Sequence, residues 1–112
     1  MQLNWIPKAF LLALLTYPQT LSANGFTSAE VLGWQPKSQE TLFQDSISMI
    51  AIVAGQTGDH GHIAKCIGDW YAEGAAGTTE RNTQIRDAMW RFPDSHPQAV
   101  ILAVVQKRCG SF

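Results

Sequence analysis

The sequence predicts a small all-α domain: a bundle of four main helices plus a short N-terminal helix, stapled by one disulfide. Three observations predict it. Apolar residues recur at three- and four-residue steps through most of the chain beyond residue 25. Helix starts and stops stand at the ends of those stretches. The chain carries only two cysteines, Cys66 and Cys109.

The first element is a leader. Lys8 precedes Ala9-Phe10-Leu11-Leu12-Ala13-Leu14-Leu15, Pro18 breaks that run, and Leu21-Ser22-Ala23 brings small residues. These are the charged, apolar and small-residue regions of a secretory signal peptide. Cleavage is expected after Ala23, or alternatively after Ser22. The run is far shorter than the about 20 apolar residues of a spanning helix, so no membrane association is expected once the leader is removed. Residues 1–23 are therefore read as a signal peptide and 24–112 as a helical domain of 89 residues, periplasmic or secreted. Cleavage removes Lys8 and no acid, so the formal charge moves from −1 to −2.

An even cysteine count in a small exported protein reads as a disulfide framework, and Cys66 with Cys109 allows one internal pairing. Two free thiols or an intermolecular bond are the alternatives. A domain of this size buries a modest fraction of its unfolded surface and benefits from such a staple.

Thr27 begins the first helix of the domain. It can cap, Glu30 completes a capping box, and Phe26 and Val31 are spaced for a hydrophobic staple. Gly33 and Pro36 keep this helix short. Ser38 then opens a longer helix in which Leu42, Phe43, Ile47, Met49, Ile50 and Val53 form one wide apolar face. Gly55 is expected to end it, and Gly55 to Gly61 is turn-rich. Ile63, Cys66, Ile67 and Trp70 share a face of the next helix. Gly74-Ala75-Ala76-Gly77 punctuates the chain. Thr78 or Thr79 can cap a further helix with Ile85, Met89 and Phe92 on its buried side, which Pro93 stops. Ser95 and Gln98 form a second capping-box pattern with Pro97 in the first turn. The last helix carries Val100, Ile101, Val104, Val105 and Cys109 at core spacing. Lys107 and Arg108 in its final turn complement the helix dipole, and Gly110 is its stop.

Little in this pattern points to catalysis, and no enzyme activity, cofactor or metal is expected. Asp59-His60-Gly61-His62 with Cys66 has a ligand-like step, but zinc needs three or four ligands and Cys66 is required by Cys109. A Cys66 nucleophile beside His60, His62 or His96 would need a reduced thiolate. The acids Asp69, Glu73, Glu80 and Asp87 read as a solvated helix face. No basic patch or arginine run is visible, which argues against nucleic acid. Trp34, Trp70, Tyr71 and Trp90 read mainly as core, although an exposed one would be a first candidate for a partner contact.

Taken in order, Phe26-Thr27-Ser28-Ala29-Glu30-Val31-Leu32, Met49-Ile50-Ala51-Ile52-Val53-Ala54-Gly55, Cys66-Ile67, Ile85 to Phe92, His96-Pro97 and an aliphatic last helix ending at Cys109 resemble the Rap/Tai family of type VI secretion immunity proteins. The resemblance implies a small helical periplasmic domain that binds and blocks a cell-wall-degrading amidase effector, often as a homodimer. Members usually carry a further cysteine in the segment that is Ser46 to Gly55 here, and a proline soon after the position of Cys66; this chain has neither. A second resemblance is to periplasmic acid-stress chaperones of the HdeA type, which implies binding of unfolded clients at low pH. There, three histidines and nine carboxylates would supply the charge change. For a partner protein, the turn-rich stretch from Thr57 to His62 and the turn from Glu73 to Thr79 are the expected protruding surfaces. Asp59, His60, His62, Tyr71 and Glu73 are the candidate contacts.

Overall fold

Helices run in the order α1 (Ser28–Leu32), α2 (Pro36–Gln56), α3 (Gly61–Tyr71), α4 (Ala75–Arg91) and α5 (Pro97–Cys109). This is a computed structural model, and it describes residues 25–71 and 75–112. The leader, Glu73 and Gly74 lie outside the described residues. Among the described residues there is no strand, and the all-α class predicted from periodicity holds.

Each start has a local cause. Thr27 caps α1, its Oγ1 accepting from the Glu30 N–H at 3.3 Å. Pro36 opens α2 two residues earlier than Ser38, because a proline in the first turn forfeits only a donor that has no helical partner. Pro97 opens α5 in the same way. Its cap is His96 and not Ser95: the His96 Nδ1 accepts from the Gln98 N–H at 3.2 Å. Nor do Thr78 and Thr79 cap α4, which already begins at Ala75. Thr78 instead donates its hydroxyl to the carbonyl of Tyr71 at 2.8 Å, bracing the end of α3.

The core is one cluster shared by all five helices. Phe43, Ile63, Ile67, Ile85, Met89 and Ile101 are fully buried within it, each contributing about 1.5–3 kcal/mol. At Gly55 α2 packs beside Ala64 of α3, and a Cβ added there would make an ordinary contact at 3.6 Å. The disulfide joins Cys66 on α3 to Cys109 at the end of α5, with Cα atoms 5.7 Å apart.

Two predicted faces are narrower than their apolar residues. On α2 the inward stripe is Gln39, Phe43, Ser46, Ile47 and Ala54. Met49 and Val53 were expected on it, yet they are 59% and 41% exposed. At 3.6 residues per turn Met49 lies about 110° round the helix from that stripe, beyond what the neighbouring helices cover. Phe92 was expected beside Ile85 and Met89 but is 57% exposed. The spacing would bring it inward only if α4 continued, and α4 ends at Arg91.

Polar groups join the elements where the core does not. The short helix α1 is held at both ends. The backbone N–H groups of Ser28 and Ala29 donate to the carbonyls of Ser95 and Pro93 at 2.8 and 2.9 Å, and the Ser28 hydroxyl also donates to Ser95. At its other end the buried Gln39 Nε2 reaches the carbonyls of Val31, Leu32 and Trp34 at 3.0–3.3 Å. The Gln39 Oε1 accepts from the Arg86 Nε at 2.7 Å, linking α1, α2 and α4. No buried side-chain nitrogen or oxygen lacks a partner among the described residues.

Candidate functional site

The candidate contacts from the sequence do not converge. Asp59, His60 and His62 share the α2–α3 turn, where the Thr57 hydroxyl donates to the carbonyl of Val53 and Gly58 takes a φ of 54°. The ring Nδ1 of His60 donates to the Thr57 carbonyl at 3.0 Å, and that of His62 to the Asp59 carbonyl at 3.1 Å. Both imidazoles therefore brace their own turn. The His60 ring also packs on Phe112, centroids 5.8 Å apart.

Tyr71 lies at the other end of α3, roughly 15 Å along its axis from this turn. It is buried, donating its hydroxyl to the Asn82 Oδ1 at 2.7 Å, so it is a core strut and not a displayed contact. Burial holds its phenol above the usual value of 10.0. Glu73 lies outside the described residues. Asp59, His60, His62 and Cys66 do not come together: among the described residues no three His, Cys, Asp or Glu side chains are placed to hold a metal ion. No helix among them is long and apolar enough to cross a membrane.

A different surface is more developed. Between α4 and α5 run two adjoining depressions of about 440 Å³ each, which share Ala88, Arg91, Val104 and Lys107. One is basic, lined by Arg81, Arg91, Lys107 and Arg108 together with Trp70. The Arg81 guanidinium is fixed there, its Nε donating to the Trp70 carbonyl at 3.1 Å and its Cζ 5.7 Å from the indole centroid. The other depression is more apolar, lined by Ala88, Phe92, Ala99, Val100, Ala103 and Val104.

Sequence reading missed this groove because each residue already had a local role. Lys107 and Arg108 read as dipole partners, Val104 and Phe92 as core. The available signal is a combined one: Gln84, Ala88 and Arg91 on α4 and Val100, Ala103, Val104 and Lys107 on α5 repeat at three- and four-residue steps beside the core stripe.

Fold and surface together define a small disulfide-linked all-α domain with an exposed groove between its last two helices. Comparison with protein-family models, with curated proteins and with solved structures found no match.

Proposed function

We propose that this chain is an exported helical binding protein, similar in action to the immunity proteins its sequence resembles. It binds a partner protein and blocks it by occlusion, without chemistry of its own. The partner implied by that resemblance is a cell-wall-degrading amidase.

One observation carries the binding reading. With a complete core, the domain still leaves Trp90 and Phe92, at the end of α4, 68% and 57% exposed. Large aromatic side chains left in water are the residue type that dominates protein–protein hot spots.

The test is inhibition. Purified, oxidised protein is titrated into peptidoglycan hydrolysis by amidases of the same envelope and of effectors delivered into it. The expected result is loss of hydrolysis near equimolar ratio for one of them. No inhibition of any, together with suppression of client aggregation at strongly acidic pH, would replace this reading with the chaperone one.

A further inference from the structure

Resting on the binding reading, we propose that the groove between α4 and α5 receives a peptide segment of the partner protein, with carboxylates at one end and bulky apolar side chains at the other.

Charge is the first reason. The chain has a formal charge of −1, yet four of its eight cations line the basic half of this groove and no carboxylate does. Elsewhere on α3 and α4 cations are matched by acids, Lys65 by Asp69 and Arg86 by Glu40, and within the groove Arg81 also lies 3.7 Å from the Glu80 carboxylate. Arg91, Lys107 and Arg108 form no ion pair among the described residues. The helix dipole accounts for a cation at each of these positions, Arg91 in the last turn of α4 and Lys107 and Arg108 in that of α5. It does not explain why all of these cations face one groove with Trp70 and Arg81.

Shape is the second reason. Ala99 and Ala103 leave room for a backbone to lie close to α5, and Phe92 with Val100 and Val104 offers an apolar seat. From Ala99 to Arg108 the groove runs about 13 Å, two to three turns of helix or a short extended strand. It is open to water along its length, whereas small-ligand sites bury about 70–90% of their occupant. An acyl chain laid here would stay half in water. A peptide segment anchored by the rest of its protein would not need enclosure.

The probe is a fluorescein-labelled dodecapeptide with a Glu-rich half followed by a Leu/Phe-rich half, with two analogues: Gln for every Glu, and Ser for every apolar residue. Anisotropy is measured with the oxidised protein, with R91Q/K107Q/R108Q, and with Ala103→Trp, which crowds the apolar half of the groove. All four altered side chains are exposed, so both variants should keep the helical circular dichroism of the parent. The expected result is saturable binding that weakens with salt and falls on the order of tenfold or more for each analogue and each variant. Equal binding of the Gln analogue, or undiminished binding by either variant, would overturn the proposal. So would a fatty acid or a second copy of the chain displacing the peptide at lower concentration. The two readings separate cleanly: peptide binding without inhibition of any amidase keeps the groove and removes the immunity role. Amidase inhibition undiminished in both variants keeps that role and removes the groove.

Discussion

Removing the Cys66–Cys109 link should cost this domain a large part of its stability, and the size follows from the chain it closes. The two cysteines are 43 residues apart in sequence. For a loop of that length the chain-entropy relation gives roughly 4 kcal/mol at 25 °C, set against about 5–15 kcal/mol for a typical domain. At about 4–8 °C per kcal/mol for a domain of this size, the thermal midpoint should fall by roughly 16–32 °C. The assay is urea and thermal unfolding of C66A/C109A beside the oxidised parent, followed by helical circular dichroism. A denatured state freed of its loop is more extended, so the denaturant slope should also rise. Because Cys109 packs against the core, C66S/C109S serves as a control for lost packing. A loss below about 1 kcal/mol with an unchanged slope would refute the reasoning, since the staple would then be constraining nothing in the unfolded chain.

Three further outcomes follow from single residues. Gln39→Ala leaves three carbonyls at the end of α1 and the Arg86 guanidinium without their shared partner, so denaturation should show a loss of about 2–3 kcal/mol, while the exposed neighbour Ser38→Ala changes little. Tyr71 should titrate above 10.0 in near-ultraviolet absorbance. Its folded value is the raised one, so its contribution is intact below the unfolded value and is lost as pH climbs through the folded one. Tyr71→Phe should remove that alkaline loss and cost about 1–3 kcal/mol at neutral pH by stranding the Asn82 carbonyl; a parent whose stability is flat through this window would contradict the assignment. Gly58, at a φ of 54°, should tolerate Asn but lose about 1–2 kcal/mol on change to Val, read as a shift in urea midpoint.

How much of the site was legible depended on whether its cause was local. The α2–α3 turn could be placed from Gly55, Gly58 and Gly61, because turn chemistry is written in adjacent residues. Tyr71 could not be told from a surface aromatic. Its burial depends on Asn82, eleven residues later, meeting it from the next helix. The histidines of the turn likewise look available in sequence, but the carbonyls of Thr57 and Asp59 occupy one nitrogen of each.

Alone, the sequence determined the class, the helices found among the described residues, the α1 cap at Thr27 and the two cysteines whose pairing joins α3 to α5. Those depend on spacing and on backbone chemistry within a few residues. Only the tertiary structure decided how much of each apolar helix is covered, leaving Met49, Val53 and Phe92 in water. It also decided that the free N–H groups of α1 would meet the loop before α5. And it gathered Arg81, Arg91, Lys107 and Arg108 along one groove. A helical period says which residues share a face, but what that face meets is set by where segments distant in the chain cross.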